Sequence, residues 1–104
     1  MRAARWIIVT GLPATGKSTL ARVLGARHGL PVIAKDRIKE PLLDVLPPRD
    51  AAESRRLSDA SFAVLFAVAA DLAESRVDAI LEGNFRPGEH ERPLVAVGRA
   101  EIVA

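Results

Sequence analysis

One short segment near the N-terminus constrains the fold of this chain more than any other. Residues 11–18 read Gly-Leu-Pro-Ala-Thr-Gly-Lys-Ser and match the pattern G-x-x-x-x-G-K-[ST] at every fixed position. The preceding residues, Trp6–Thr10, form an apolar, β-branched run typical of a strand buried on both faces. Apolar residues then recur at helical spacing over Lys17–His28, and Gly29 can end that helix in the left-handed conformation. The sequence therefore predicts a strand, a glycine loop and a helix in direct succession.

This order of elements favours a loop that binds phosphate groups. Gly11 permits a sharp exit from the strand, and Gly16 lets the backbone approach a phosphate closely. Backbone N–H groups at the start of the helix form a concave nest at its positive end. Lys17 can reach the β- and γ-phosphates of a nucleotide, and the Ser18 hydroxyl can bind Mg²⁺. A glycine-rich turn without a ligand is the alternative. The expected nucleotide-binding residues are Gly11, Leu12, Pro13, Ala14, Thr15, Gly16, Lys17, Ser18 and Thr19.

The rest of the chain alternates strands and helices, which predicts an α/β fold with a parallel sheet and right-handed crossovers. At 104 residues the chain is long enough for one domain at most. Pro41 suits the first turn of a helix and opposes its interior, so the start of the second helix is open. The predicted elements after the first helix are strands at Pro31–Ala34, Val77–Leu81 and Glu101–Ala104, and helices at Arg37–Leu46, Asp50–Arg76 and Glu89–Gly98.

Composition excludes several classes of protein. The chain has no cysteine, which rules out disulfides and cysteine metal clusters. Its longest nearly apolar run, Ala60–Ala70, is too short to span a membrane, and the apolar stretch after the first arginines is too short for a signal peptide. We therefore expect a cytoplasmic protein that does not bind membranes. The net charge is +2, but residues 1–39 carry eight basic groups and one acid. That imbalance indicates an anionic ligand or, equally, ordinary scatter in an arginine-rich chain.

Acidic residues follow the second and third predicted strands. Ligands of a doubly wound sheet bind outside the carboxyl ends of its strands, so Asp36 and Glu82 are expected to face the phosphate site. Glu82 is a candidate for holding Mg²⁺ or positioning water, and the alternative is a solvated residue at a strand exit. Asp36 is a candidate base for an attacking hydroxyl, and the alternative is a helix cap. Asp78 is expected to lie at the opposite end of its strand.

Other polar residues have weaker claims to a site. An anionic substrate or the transferred phosphate suits Arg37 and Lys39, although solvated helix charges are a close alternative. Asn84 and Arg86 follow Glu82 and are candidates for substrate contact, although an Asn there also suits a turn. The residues expected to be ordinary surface groups are His28, His90, Arg49, Arg55 and Arg56.

Three motifs give the chain a resemblance to a known family. They are G-L-P-A-T-G-K-S-T-L-A at Gly11–Ala21, K-D-R-I-K at Lys35–Lys39 and L-E-G-N-F-R-P-G-E-H at Leu81–His90. With them the chain resembles the small P-loop kinases of the AAA-type ATP-binding group, which are close to zeta toxin, chloramphenicol phosphotransferase, gluconate kinase and the kinase domain of polynucleotide kinase. Many of those kinases have Asp where this chain has Glu82.

The resemblance implies a P-loop NTPase fold of the nucleoside-kinase type, a three-layer αβα sandwich of which residues 1–104 form the four-strand N-terminal portion. It implies a single domain without the lid, fifth strand and C-terminal helix of those kinases. It also implies that Lys17 and Ser18 serve ATP and Mg²⁺, that Lys17 and Asp36 are catalytic, and that Asn84 and Arg86 lie on the acceptor side.

The expected function is therefore transfer of the ATP γ-phosphoryl group to a hydroxyl acceptor. That acceptor is a small molecule, a sugar nucleotide or the 5′-hydroxyl end of a polynucleotide. We expect nucleic acid to bind only as such a substrate. Simple NTP hydrolysis is an alternative, and so is a nucleotide-binding remnant that transfers nothing. The sequence does not specify an oligomeric state.

Overall fold

The computed structural model describes residues 4–11, 16–86, 89–90 and 99–103, the last range as backbone only. The elements in chain order are β1 (Arg5–Val9), α1 (Lys17–His28), β2 (Val32–Ala34), α2 (Lys35–Val45), α3 (Ala51–Glu74), β3 (Ala79–Glu82) and β4 (Arg99–Val103). The predicted alternation of strands and helices is confirmed. The short helix predicted at Glu89–Gly98 lies largely outside the described residues.

The four strands form one parallel sheet in the order β2-β3-β1-β4. The strand that joins β1 and β2 in space is therefore β3, which comes much later in the chain. The last residue of β3, Glu82, pairs with Val9 of β1 on one side and with Ala34 of β2 on the other. The carboxyl ends of these three strands therefore end level with one another, at the edge where parallel α/β sheets bind ligands.

The two faces of the sheet carry different helices, which makes three layers. Trp6 and Ile8 of β1 are buried together with Leu65 and Ala69 of α3. On the opposite face Val9 is buried with residues of α1 and with Ile80. This alternation follows from the two-residue period of a strand, because successive side chains point to opposite faces. The chain thus has the fold of a P-loop NTPase, as the sequence predicted.

The close approach of α1 to the sheet depends on a glycine. Gly25 is buried, and a Cβ built at this position would lie 2.6 Å from Val32 Cγ2 and 3.1 Å from the Leu30 carbonyl oxygen. Real Cβ atoms do not approach other atoms this closely, so a side chain here would push α1 away from β2. Gly29 ends the helix with a φ of 63° and donates its N–H to the Gly25 carbonyl, as expected of a left-handed cap.

The second helix differs from its prediction at both ends. It begins at Lys35, directly after β2, with Ala34 as its extended N-cap, two residues before the predicted range Arg37–Leu46, whose start the sequence left open. Pro41 lies inside the helix and does not end it. A proline at this position removes one backbone hydrogen bond, and packing of α2 against α3 compensates for that loss.

The longest helix begins at a well-defined cap. The Asp50 side chain accepts a 2.8 Å hydrogen bond from the Glu53 N–H, and Arg49 pairs with Glu53 at 2.8 Å. Hydrogen bonding by Arg49 lowers the pKa of Glu53.

Within the described residues no helix combines the length and apolar character needed to cross a membrane.

Candidate functional site

The described end of the glycine loop has the backbone geometry that its sequence predicts. Gly16 adopts a φ of 82°, in the left-handed region that residues with a side chain rarely adopt, and its carbonyl accepts a 3.0 Å hydrogen bond from the Leu20 N–H. No side chain caps α1. Its first N–H groups, including those of Lys17 to Thr19, therefore remain available to an anion. The expected ligands Leu12, Pro13, Ala14 and Thr15 lie outside the described residues.

The Ser18 side chain lies directly beside Glu82. Its hydroxyl donates a 2.8 Å hydrogen bond to Glu82 Oε1. The Glu82 residue is buried, with an exposed fraction of 3%, and in the described part of the chain no cation forms an ion pair with it. A buried carboxylate whose partner is a neutral hydroxyl is costly, because its charge is not compensated. Such a pair is well suited to a cation.

The donor atoms of this pair fit Mg²⁺ better than a transition metal. A hydroxyl and a carboxylate are hard oxygen donors, and Mg²⁺ in nucleotide sites takes one or two protein oxygens together with water and phosphate oxygens. The described residues contain no cluster of three or more His, Asp or Glu side chains that would hold an ion on its own. The oxygen atoms of Ser18 and Glu82 are therefore donors of the kind that Mg²⁺ prefers.

Asp36 lies at the start of α2, one residue after the buried Lys35. The Lys35 ammonium lies 3.1 Å from Asp36 Oδ1, and the Asp36 side chain is 68% exposed. The alternative role as a helix cap is wrong, because Ala34 occupies the N-cap position. Asp36 is thus an accessible carboxylate at the ligand-binding edge, oriented by a neighbouring lysine.

A cavity of about 520 Å³ brings several of the predicted residues together. It lies between α1 and α2, at the carboxyl ends of β2 and β3. The metal candidates Ser18 and Glu82 line it together with Asp36 and Arg37. Residues that the sequence separates by more than 60 positions therefore share one cavity.

The other predicted substrate contacts lie beside α3. Asn84 and Arg86 line a second, shallower cleft of about 330 Å³ between the β3 exit and α3. Lys39 points toward α3 and donates hydrogen bonds to Ser54 Oγ at 3.1 Å and Ser58 Oγ at 2.7 Å. The structure thus places Asn84 and Arg86 in a different cavity from Ser18, Asp36, Arg37 and Glu82, and neither Lys17 nor Lys39 lines either cavity.

The prediction that His90 is a surface residue is wrong. His90 is 5% exposed and stacks on Phe62 with the ring centroids 4.1 Å apart, next to Phe66 and Phe85. Its Nδ1 accepts a 2.8 Å hydrogen bond from the Arg86 N–H, so this nitrogen carries no proton. Burial lowers the pKa of the imidazole. The histidine fixes the chain after β3 against α3, whereas His28 is exposed as expected.

The remaining sequence predictions can be compared with the structure directly. Asp78 accepts a 2.9 Å hydrogen bond from the Arg5 N–H at the amino end of the sheet, far from the cavities, as predicted. Arg55 lines the second cleft, which the sequence had favoured less than a surface role. Arg49 and Arg56 line a separate depression at the α2–α3 connection.

Sequence reasoning missed Lys35, Ser54 and Ser58. Lys35 is buried, and its ammonium lies 3.2 Å from Ser58 Oγ and 5.6 Å from the centre of the Phe62 ring. The serines are four residues apart, which places both on one face of α3. The four-residue spacing indicated a shared helix face, but the sequence does not indicate which helix packs against that face.

Comparisons with known proteins agree with this geometry. A family model described as an AAA domain matches residues 7–102, so the chain belongs to that family. The structure of a candidate kinase from Chloroflexus aurantiacus J-10-fl is 34% identical over 99% of this chain, with a TM-score of 0.89. The hexameric APS kinase from Thiobacillus denitrificans is 27% identical over 97% of this chain, with a TM-score of 0.67.

A chain of the Pnkp1/Rnl/Hen1 complex shares the fold at 16% identity, with a TM-score of 0.72 over 98% of this chain. The chain spans 58% of the length of the Chloroflexus protein, 36% of the chain in that complex and 22% of the APS kinase. None of the curated proteins compared with it matches significantly. The chain thus belongs to a P-loop family of nucleotide-binding, kinase-like proteins.

Proposed function

We propose that this chain binds Mg²⁺–ATP and transfers the γ-phosphoryl group to a hydroxyl acceptor. The observation that carries this proposal is the Ser18–Glu82 pair, because it joins the helix after the glycine loop to the end of β3 through a 2.8 Å hydrogen bond. The same cavity also contains Asp36. A phosphate loop, a cation site and an accessible carboxylate are the parts that phosphoryl transfer requires.

The nucleotide phosphates bind at the start of α1. The free N–H groups of its first turn donate hydrogen bonds to the phosphate oxygens, which the left-handed Gly16 lets come close, and Lys17 neutralises the charge on the β- and γ-phosphates. Ser18 and Glu82 would hold Mg²⁺, which would supply positive charge next to the γ-phosphate. These groups are fixed by the sheet and by α1, so little reorganisation is needed during the reaction.

Asp36 accepts the proton of the attacking hydroxyl. As the acceptor oxygen bonds to the γ-phosphorus, the bond from that phosphorus to the bridging oxygen breaks and ADP leaves. Lys35 holds one oxygen of the carboxylate and leaves the other available for this proton. Arg37 lines the same cavity and stabilises the negative charge of the transferring group. Asn84 and Arg86 contact the acceptor from the adjacent cleft, and Lys39 lies beside that cleft, bonded to two of its serines.

Nucleotide binding and transfer test this proposal separately. Calorimetric titration of ATP into the chain, with and without Mg²⁺, is expected to show binding that Lys17→Ala weakens at least tenfold. Incubation with ATP labelled at the γ-phosphate and a panel of hydroxyl compounds is expected to label an acceptor. Arg27→Ala, which removes an exposed cation from the last turn of the same helix, is the matched control for Lys17→Ala.

Two results would contradict the proposal in different ways. Equal ATP affinity in the parent chain and in Lys17→Ala would remove the phosphate loop from the site. Release of inorganic phosphate at a rate that no acceptor changes would replace the transferase with an NTP hydrolase. We further infer that the protein acts in the cytoplasm, where ATP is abundant and a cysteine-free chain needs no oxidising environment.

A further inference from the structure

The second cleft has a composition that the nucleotide site does not explain. Its polar lining residues are Lys35, Ser54, Arg55, Ser58, Asn84 and Arg86, and Phe62 forms part of its wall. Three of these side chains are cationic, and among the described lining residues none is acidic. The cavity that contains Glu82 is lined, in contrast, by three carboxylates and two arginines. The two adjacent cavities thus differ in the sign of their lining charge.

Two lysines beside the cleft are held by neutral oxygen atoms. Lys39 donates to the hydroxyls of Ser54 and Ser58, and Lys35 donates to Ser58 as well. A hydroxyl accepts a hydrogen bond without cancelling the positive charge, whereas a carboxylate would cancel it. This pattern therefore positions both ammonium groups without cancelling the charge of Lys39, whereas Lys35 also contacts the Asp36 carboxylate.

The acids near the cleft compensate its cations only in part. Arg86 lies 3.6 Å from Asp59 and 3.2 Å from Glu89, and both contacts are solvent-exposed, where ion pairs are weak. Lys35 is shared with Asp36. In the described part of the chain, Arg55 forms no ion pair. A compact oxyanion is the ligand that such a cleft would attract most strongly.

The position of the cleft relates it to the proposed base. Lys35 lines the cleft, the next residue Asp36 lines the nucleotide cavity, and the two side chains touch at 3.1 Å. Gly83 packs against the cleft wall, because a Cβ at that position would be 3.3 Å from Lys35 Cβ and 3.4 Å from Phe62 Cε1. A molecule bound in the cleft therefore reaches Asp36 across a single lysine side chain.

We infer that the cleft between α3 and the β3 exit binds an anionic group of the acceptor, so that the substrate is a hydroxyl compound that also carries a phosphate, sulfate or carboxylate. That the anion belongs to a phosphoryl acceptor rests on the proposed function, whereas the anion site itself is inferred from the residues that line the cleft. The basic groups bind the anion, and the hydroxyl of the same molecule extends toward Asp36.

The anion site is tested with probes that have no hydroxyl to phosphorylate. Methyl phosphate, methyl sulfate and acetate are titrated separately into the ¹⁵N-labelled chain, and backbone amide shifts are followed by NMR. Shifts at Asn84 and Arg86 report binding in the cleft, and shifts at residues 16–19 report binding at the phosphate loop. We expect saturable shifts at Asn84 and Arg86 that persist in Lys17→Ala, and the tightest of the three probes identifies the anionic group.

Adjacent arginines provide a matched pair of variants. Arg55 lines the cleft and Arg56 lines the depression at the α2–α3 connection, and both are exposed residues of α3. Arg55→Gln is expected to weaken binding of the best probe about fivefold, the effect of one partly exposed charge contact. Arg56→Gln removes the same charge from the same helix and is expected to leave the affinity within about twofold.

The outcomes separate this inference from the proposed function. Shifts confined to residues 16–19, or an equal loss of affinity in Arg55→Gln and Arg56→Gln, would overturn the anion site whatever ATP does. Cleft shifts in a chain that does not bind ATP would support the anion site and refute the kinase. If both sites bind, labelled phosphate is expected to reach glycerol 3-phosphate, glycerol 3-sulfate or glycerate more readily than glycerol, and preference for glycerol would overturn the acceptor assignment.

Discussion

The Ser18 hydroxyl donates its 2.8 Å hydrogen bond to a buried carboxylate, Glu82, that is 64 residues away in the sequence. Glu82→Gln keeps the shape and removes the charge. We expect the variant to bind Mg²⁺ at least tenfold more weakly in the presence of ATP, because the hard anionic donor is lost. Calorimetric titration of Mg²⁺ into the ATP-saturated chain measures this. Glu40→Gln, an exposed acid that lines the same cavity, is the control and is expected to change little.

Asp36→Asn separates binding from chemistry. The exposed carboxylate is proposed to accept a proton, so its loss is expected to lower acceptor-dependent transfer about 100-fold or more while Mg²⁺–ATP binding stays within about twofold. Initial rates with labelled ATP and calorimetric affinities provide the two readouts. Asp44→Asn removes an exposed acid from the same helix and is expected to retain full activity. Normal transfer by Asp36→Asn would assign the base to another residue.

Gly25→Ala is expected to destabilise the chain by about 1–2 kcal/mol. The added methyl group would meet Val32 Cγ2 at 2.6 Å, and overpacking outweighs the better helix propensity of alanine. Urea unfolding followed by the fluorescence of Trp6, the single and fully buried tryptophan, measures the change. Combining it with Val32→Ala should restore space. The destabilisation of the double variant is therefore expected to be smaller than the sum of the destabilisations of the two single variants. Strict additivity would mean that the contact does not limit packing.

Pro41→Ala is expected to stabilise the chain by about 1–2 kcal/mol. Alanine restores the N–H that a helical residue donates to the carbonyl four positions earlier, here that of Arg37, and removes a clash with that carbonyl. The greater freedom of the unfolded chain offsets part of the gain. Pro47→Ala, outside any helix, lacks the gain and is expected to be neutral or slightly destabilising. Urea midpoints that shift equally in both variants would contradict this explanation.

His90 is expected to make stability depend on pH. Because burial lowers its pKa in the folded chain, the unfolded chain binds the proton more readily. The stabilisation is thus complete above the unfolded pKa of about 6.5 and decreases as the pH falls below it. Unfolding free energies measured between about pH 8 and pH 5 should show this decrease. His90→Gln is expected to flatten the profile, whereas the exposed His28→Gln is expected to leave it unchanged. A slope that survives in His90→Gln would assign it to other groups.

The sequence predicted the order and type of the elements well, because each depends on local patterns. The first helix matches its predicted bounds of Lys17–His28, since glycines define both of its ends. The second helix was predicted less well. Its start at Lys35 and its passage through Pro41 reflect packing on α3, which local propensity does not describe.

The candidate site shows the same division. Asp36 and Glu82 were expected at one edge from the rule that ligands bind at the carboxyl ends of parallel strands, and Ser18 was expected near the phosphates from its motif. The three side chains line one cavity. The basic cleft was not predicted, because Lys35 and Lys39 lie on one helix and their serine partners on another. Burial of His90 was missed for a similar reason, since its stacking partner Phe62 lies on α3, far away in the sequence.

The strand order also has a consequence for synthesis of the chain on the ribosome. Trp6 of β1 pairs with Ala79 of β3, and β2 pairs with β3 and not with β1. The first two strands therefore have no partner in the nascent chain until β3 has emerged, after all of α3. Pairing between such distant segments slows folding and leaves apolar strands exposed in the meantime. We expect the N-terminal half to depend on α3 and β3 for its structure, and to be a target for chaperones while they are being made.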